Sequence, residues 1–359
     1  MALLPTDFSL AGRTLEEDVY TGNGTFLLAK GTRLTPDQLD SLVKHRIDVV
    51  RVCDAYEDVR TSFPPKGSVA EQMERFAMER ESMAHYVRAM AQTKALFDKV
   101  TEDSIPSLEE FTDAVIPVVK EVLRETSIFR FLYALEGSEN YTYRHSLNVG
   151  MLSALIAKLL CLQDEEISMV GQAGFLHDVG KVLIPTDILL KPGRLTEDEY
   201  EQMKFHTVFG YELINRMEGA TEAIAQCALL HHERLNGTGY PLGLTENNIP
   251  LLCQIIAVAD TFDAICSDRV YKERTSPFVA AQLLWRAACD GHLNAEIVTR
   301  FAHYIVSLYA GSKALLNTGD EVEVIFIFKD EPMRPLVRKG EDFYDLRSHR
   351  VWDIEKMIG

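Results

Sequence analysis

The chain has 359 residues, of which 47% are hydrophobic and 25% charged. That is a globular composition, long enough for two or three domains whose cores need no disulfide staples. Acidic residues outnumber basic ones 54 to 37, a net charge of −17, so the surface repels phosphate backbones and anionic lipid heads. This excludes a general nucleic-acid or membrane-surface binder.

No run of 18 apolar residues occurs: Lys158 breaks Met151–Leu162, and Gln254 and Asp260 break the stretch after Leu251. The first ten residues lack the basic start of a secretory signal. Six scattered cysteines, Cys53, Cys161, Cys227, Cys253, Cys266 and Cys289, form no C-x-x-C pair. They are expected as free thiols in a reduced, cytoplasmic protein.

In chain order, residues 1–53 read as a small α/β unit. Gly22-Asn23-Gly24 is a hairpin turn between a strand ending near Tyr20 and the strand Thr25–Ala29. Thr35-Pro36 with Gln38 is a capping box, followed by a helix whose inner face is Leu39, Leu42 and Val43. Val49–Val52 closes the unit, and 54–69, with Pro64-Pro65 and Gly67, is a linker.

Connecting helices are expected over 70–136. Ala70 to Val100 contains no Pro or Gly, and Phe76, Met83, Met90 and Phe97 recur every seven residues. Met73 and Val87 fill intermediate positions, whereas Arg80 and Lys94 interrupt the seam. Two readings stand: a coiled coil joining a homodimer through 70–100, or an amphipathic helix packed on its own domain. Ser107 and Glu110 cap the next helix, to Leu135.

Residues 141–310 read as helix after helix, within a domain set at 137–315, with loops near 183–195, 234–250 and 267–277. From 316 to 359 the pattern turns to β, with strands at Glu321–Phe328, Leu336–Arg338 and Phe343–Leu346. The fold class is therefore mainly α, an all-α helical domain between a small N-terminal α/β domain and a C-terminal β appendage.

The histidines carry the chemistry. His145, Val149, Leu152, Ile156 and Leu159 share one helical stripe, and Val170, Gly174 and His177 another, with Lys181 one turn on. Met203, His206 and Gly210 line up likewise, as do Ile224, Cys227 and His231, and then Ile256, Asp260 and Asp263. His45 and His85 read as surface residues, His292 and His303 as either core or surface, and His349 falls in the tail. Five helices thus turn an imidazole or carboxylate inward. Buried carboxylates need strong partners, and nitrogen and oxygen donors without thiolate suit Fe, Mn, Ni, Co or Zn. With Asp178 beside His177 and His232 beside His231, five histidines and two aspartates (His145, His177, Asp178, His206, His231, His232 and Asp260) exceed one open-sided ion, so two ions with a bridging carboxylate fit better. Cys227 reads as a packed core residue.

The His177-Asp178 doublet resembles the HD superfamily of metal-dependent phosphohydrolases. His231-His232-Glu233-Arg234-Leu235-Asn236-Gly237-Thr238-Gly239-Tyr240-Pro241 resembles the signature of its HD-GYP branch. The likeness covers roughly residues 140 to 310. It implies that His145, His177 and Asp260 hold one metal, that His206, His231 and His232 hold the other, and that Asp178 bridges them. Fe or Mn is the expected pair, with Ni, Co or Zn as alternatives. Relatives with a third metal carry Glu at the position of Tyr141, so two metals are expected here.

The resemblance also implies a substrate, cyclic di-GMP, hydrolysed to linear pGpG and in some members on to GMP by a hydroxide held between the metals, with no serine or cysteine nucleophile. Lys181 is expected on the phosphate; its plain alternative is a solvated lysine. Arg269-Val270-Tyr271-Lys272 resembles the segment that reaches the second phosphate and guanine, with Asp263 on the ligand-facing side. The family more often has Pro at the positions of Val270 and Thr207. Tyr240 contacts ligand or orders its loop, which Gly237 and Gly239 allow to turn sharply. In the family that loop is a docking surface for GGDEF-domain cyclases. Residues 1–53 resemble the small N-terminal domain often fused to such modules. Two further readings are a cyclic di-GMP receptor with little turnover and a phosphodiesterase for 3′,3′-cyclic GMP-AMP. The charge of −17 is compatible with a small dianionic ligand, because two divalent metals add about four local positive charges.

Overall fold

The computed structural model describes residues 84–123, 141–267 and 275–358 and, before them, 2–5, 10, 14–15, 17–21, 25–32, 34–45, 47 and 49–52. About 53% of it is helical, and the strands among the described residues lie toward its two ends.

Near the start, β1 (Ala2–Pro5) pairs antiparallel with β4 (Val49–Val52), and β2 (Val19–Tyr20) with β3 (Phe26–Leu28). Helix α1 (Pro36–Lys44) is capped as its sequence dictates: Gln38 N donates to Thr35 Oγ1 at 3.3 Å, and Thr35 N donates to Gln38 Oε1 at 3.0 Å. Leu39 and Leu42 join Leu10, Leu15, Leu34, Val50 and Val52 in a small core. Val43 does not; it is half exposed, because Leu39 and Leu42 already fill the inward face. The expected turn at 22–24 and linker at 54–69 lie outside the described residues.

Helix α2 covers 84–97. Its buried positions are Tyr86, Ala89, Thr93, Leu96 and Phe97, an i, i+3, i+4 stripe set against the main core. Val87, a seam position of the expected heptad, is exposed. Along this stretch the helix packs on its own domain; Met73, Phe76, Arg80 and Met83 lie outside the described residues. Helix α3 (Leu108–Val122) starts at the expected box, with Ser107 N donating to Glu110 Oε2 at 2.9 Å.

The centre is a helical bundle of α4 (Tyr141–Leu159), α5 (Asp164–Leu176), α6 (Thr186–Leu189), α7 (Glu197–Lys204), α8 (His206–Arg216), α9 (Glu222–Leu230), α10 (Leu251–Cys266), α11 (Pro277–Cys289) and α12 (Ala295–Ser307). Helix α10 runs through its middle, with Cys253 to Asp260 all buried. His303, on α12, is also buried, whereas His292 is exposed.

The tail forms one antiparallel sheet in the order β8-β7-β6-β5-β9: β5 (Lys313–Leu316), β6 (Glu321–Phe326), β7 (Leu336–Lys339), β8 (Asp342–Asp345) and β9 (Ile354–Met357). Ala314, Leu316, Val324, Val337 and Ile354 belong to the same hydrophobic core as the helices, so the sheet is fastened to the bundle.

Cys227, Cys253, Cys266 and Cys289 are free, but Cys161 is disulfide-bonded. This corrects the expectation of free thiols throughout and removes the cysteine argument for a reducing compartment. Among the described residues, no helix is long and apolar enough to cross a membrane.

Candidate metal centre

His145 lies in the first turns of α4, on the stripe shared with Val149, Leu152 and Ile156, all fully buried. His177 caps the C-terminus of α5, and Asp178 follows it into the short 3-10 turn Val179–Leu183, which carries Lys181. That turn lies against the start of α8. A Cβ on Gly180 would sit 2.0 Å from the carbonyl oxygen of His206, so the absence of a side chain lets Asp178 and His206 meet. His231 caps the C-terminus of α9, His232 follows, and Asp260 projects from α10.

These seven side chains converge. Asp178 Oδ2 is 3.3 Å from His177 Nε2 and 3.6 Å from His145 Nε2. Its other oxygen, Oδ1, is 3.3 Å from His206 Nε2 and 3.8 Å from His231 Nε2. Asp260 Oδ1 lies 3.1 Å from His145 Nε2, and Asp260 Oδ2 lies 3.9 Å from His232 Nδ1. Two donor groups result, His145–His177–Asp178 and Asp178–His206–His231–His232, each with its ligand atoms within 4.8 Å of one another. Asp178 belongs to both.

The protonation pattern suits metal. His177 Nδ1 donates to the Gly174 carbonyl, His206 Nδ1 to Met203 and His231 Nδ1 to Ala228, at 2.7, 2.7 and 2.9 Å. A neutral ring has one N–H, so each Nε2 is left as a bare lone pair aimed inward. Burial lowers His206 to about 4 and His232 to about 3, and holds His231 well below its usual value. All three are neutral donors at neutral pH. Burial opposes ionisation of Asp178, but His177, Lys181 and His206 hold its carboxyl well below the usual range. Buried Asp260 is likewise held low, chiefly by His145. His177 Nε2 and Asp178 Oδ1 are buried without a hydrogen-bond partner. Such atoms are costly to bury unless a cation satisfies them, so the donor set fits divalent metal.

Lys181 pairs its ammonium with Asp178 Oδ2, and its side chain is 22% exposed. His232 is 20% and Asp260 10% exposed, against 4% or less for the other five ligands-to-be. The centre therefore opens to solvent on the side of Lys181, His232 and Asp260. Tyr240 covers that side: its ring lies 4.6 Å from the His232 ring, tilted by 30°. Tyr200 meets Tyr240 edge-on, and the Lys204 ammonium lies over both rings.

The loop bearing Tyr240 is tied down by Glu233, whose buried carboxylate accepts from the backbone N–H of Leu242, Gly243 and Leu244 at 2.7, 3.1 and 2.9 Å. Gly239 packs so close to Glu233 that a Cβ would come within 2.4 Å of its Cα. The Tyr240–Pro241 bond is cis.

Asp263 corrects an expectation. It does not face a ligand: it is fully buried, and its carboxylate accepts from Asn148 Nδ2 at 2.8 Å, His145 Nδ1 at 2.7 Å and Ser267 Oγ at 3.0 Å. Cys227 is a buried thiol directed at Cys253, Sγ to Sγ 3.5 Å. Arg269 and Lys272 lie outside the described residues, as does the side chain of Tyr141. Sequence reasoning missed Glu233, Asn148 and Tyr86. A signal existed for Asn148, an amide one turn after His145 on the same side of a largely apolar helix; none existed for Tyr86.

An all-α frame that gathers neutral imidazoles around a shared His-Asp carboxylate defines an HD-type metal-dependent phosphohydrolase. The HD domain family profile matches residues 133–297. A cyclic di-GMP phosphodiesterase of Pseudomonas aeruginosa is 31% identical over 320 residues, covering 87% of this chain and 76% of that protein. A 3′3′-cGAMP-specific phosphodiesterase of Vibrio cholerae is 39% identical over 155 residues, 42% of this chain and 30% of that protein. The fold matches that of an HDGYP protein from Bdellovibrio bacteriovorus, with a TM-score of 0.51 at 15% identity, over 84% of this chain and 98% of that one. The chain belongs to the HD-GYP family of cyclic di-GMP phosphodiesterases.

Proposed function

We propose that this chain hydrolyses cyclic di-GMP to pGpG at a dinuclear centre, with GMP as the alternative end product. The observation that carries the reading is Asp178, whose two oxygens each face a separate set of histidine Nε2 atoms. His145, His177 and Asp260 would hold one ion and His206, His231 and His232 the other, with Asp178 between them. Fe or Mn suits this nitrogen and oxygen set, and Ni, Co and Zn are the alternatives.

Divalent ions bound there supply an activated water and neutralise charge on the phosphoryl oxygens. The chain's own part is orientation and charge. The Nδ1–H bonds lock the imidazoles with their lone pairs inward. The Lys181 ammonium, at the open side, pairs with a nonbridging phosphate oxygen of the substrate. Tyr240 offers a ring face to a purine beside His232, and Arg269 and Lys272 are assigned to the second phosphate and base.

The domain limits belong to the same proposal: a regulatory unit over 1–53, a linker over 54–69, connecting helices over 70–136, the catalytic domain over 137–315 and the β segment over 316–359. A cytoplasmic location follows from the substrate, an intracellular messenger. GGDEF-domain proteins at the Tyr240 loop and a homodimer through 70–100 are the partners proposed. The cGAMP-specific relative keeps 3′,3′-cyclic GMP-AMP as a second substrate.

The test is turnover of cyclic di-GMP by Mn- or Fe-loaded protein against an Asp178→Ala control. Linear pGpG from the parent alone supports the enzyme. Tight binding without product, in protein carrying two ions, replaces it with a receptor, and a higher kcat/KM for 3′,3′-cyclic GMP-AMP changes the substrate.

A further inference from the structure

A chain of buried hydrogen bonds joins helix α2 to His145. Tyr86 Oη donates to Asn148 Oδ1 at 2.6 Å, Asn148 Nδ2 donates to Asp263 Oδ1 at 2.8 Å, and His145 Nδ1 donates to Asp263 Oδ2 at 2.7 Å. All four residues are buried, at 1, 0, 0 and 3% exposure in that order. Ser267 Oγ fills the remaining approach to Asp263 at 3.0 Å.

The direction of every bond is fixed by the Asp263 carboxylate, which can only accept. Asn148 must therefore turn its amide nitrogen toward Asp263 and its oxygen toward Tyr86, and Tyr86 must donate. Burial, reinforced by the Asp263 charge, pushes the Tyr86 phenol far above its usual value, so the donor persists at all working pH values. At the other end His145 must carry its proton on Nδ1, which leaves Nε2 bare toward Asp260 and Asp178. His145 differs here from His177, His206 and His231, whose Nδ1–H groups are held by carbonyls three residues earlier in the chain. Local backbone fixes those three rings. His145 is fixed through Asp263 of α10 and Tyr86 of α2, both distant in sequence, with Asn148, one turn on in α4, between them.

We propose that Tyr86 is a positioning residue for the metal ligand His145, acting through Asn148 and Asp263, so that helix α2 forms part of the support of one of the two metal positions. The inference rests on the reading of His145 as a metal ligand and deepens it. Removing the Tyr86 hydroxyl strands the Asn148 oxygen in the core, frees that amide to rotate and loosens the carboxylate that aims His145. Displacing α2 acts on the same bond. The Cα–Cβ frame of His145 is untouched in either case; its ring orientation is what changes.

The experiment is titration of the metal-stripped full chain with Mn(II), following free Mn(II) by electron paramagnetic resonance. His145→Ala identifies the position to which His145 contributes. Asp263→Asn is expected to weaken that same position about 10- to 100-fold, and Tyr86→Phe about 3- to 10-fold. The position held by His206 and His231 should keep parental affinity in both. Tyr86→Phe combined with Asp263→Asn should bind no more weakly than Asp263→Asn alone, because both act through one ring. Parental affinity at both positions in Tyr86→Phe overturns the proposal, as do additive effects or equal weakening of the two positions. If Asp263→Asn does not fold, Tyr86→Phe decides alone. Unchanged Mn(II) binding in His145→Ala overturns instead the reading of His145 as a ligand.

Discussion

His145 Nε2 stands 3.1 Å from Asp260 Oδ1 while Nδ1 of the same ring donates to Asp263. A neutral ring has one N–H, which Nδ1 commits to Asp263, so in that form Nε2 meets the Asp260 carboxylate as a lone pair. Two lone pairs facing each other at hydrogen-bond distance repel, and a cation between them converts the repulsion into coordination. The same logic applies to Asp178, which faces four imidazoles with their acceptor nitrogens.

Asp178 should therefore be the residue whose loss empties both positions. Asp178→Ala is expected to lower the metal count from two per chain to one or none, and cyclic di-GMP hydrolysis by at least about 100-fold. Elemental analysis of the folded variant beside the parent measures the first, and product chromatography the second. Two retained ions would remove the shared bridge from the scheme.

Acid should act on the same centre. Burial depresses His206 to about 4 and His232 to about 3 from the usual 6.5. Below pH 6.5 the unfolded chain takes up protons that the folded chain refuses. Their contribution to stability is thus present above about 6.5 and is lost as pH falls toward 4 and then 3. His303, lowered to about 4 mainly by burial, acts in the same direction. The metal-stripped protein should show a urea midpoint that falls steadily from pH 7 to pH 4.5, and the loaded protein should release metal over the same interval as imidazoles protonate. A midpoint independent of pH would contradict these assignments.

The converging side chains were legible in the sequence by two signals: apolar neighbours at spacings of three and four for His145, His177, His206, His231 and Asp260, and the His177-Asp178 and His231-His232 doublets for Asp178 and His232. Capping boxes at Thr35 and Ser107 were legible for the same local reason. Strands β5 and β9 were not: Lys313-Ala-Leu-Leu and Ile354-Glu-Lys-Met are built of helix formers and become strands by pairing with each other and with β6. The role of Asp263 was misread because helical phase puts it beside Asp260. Phase cannot tell a carboxylate that meets solvent from one that meets Asn148 across the helix interface. Tyr86 is 59 positions from His145, and no pattern within one helix can report such a pairing.

Gly180 tests the packing that brings Asp178 to His206. Its missing Cβ would meet the His206 carbonyl oxygen at 2.0 Å and Gly210 N at 2.4 Å, both backbone atoms that cannot step aside. Gly180→Ala should destabilise by about 3 kcal/mol or more. Gly210→Ala, whose Cβ would meet the Ala228 Cβ at 3.2 Å, should cost distinctly less. Urea unfolding of both variants measures the difference, and equal losses would argue against this crossing as the constraint.

Glu233 tests the loop. Its carboxylate accepts three backbone N–H groups, and Glu233→Gln replaces one acceptor oxygen with an NH2 group that faces another donor. The expected cost is about 1–3 kcal/mol, concentrated in faster amide exchange at 242–244, while the metal count stays at that of the parent because no ligand moves. Amide exchange read by mass spectrometry beside elemental analysis checks both halves.

Lys181 separates catalysis from metal holding. Its ammonium pairs with Asp178 and is a part-exposed cation at the open side of the centre, so it can reach a phosphate without leaving its turn. If it serves mainly to neutralise Asp178, Lys181→Met should weaken metal binding little or even strengthen it, since a competing cation is gone, and turnover should follow the metal count. If it stabilises the phosphoryl group, turnover should fall about 100-fold with two ions still bound, and the loss should appear in kcat more than in KM because the charge develops in the transition state. The second outcome is expected: one carboxylate shared between two ions needs no lysine for its own neutrality. Steady-state kinetics at measured metal content distinguishes the two, and a fully active Lys181→Met protein would return this residue to the solvated surface.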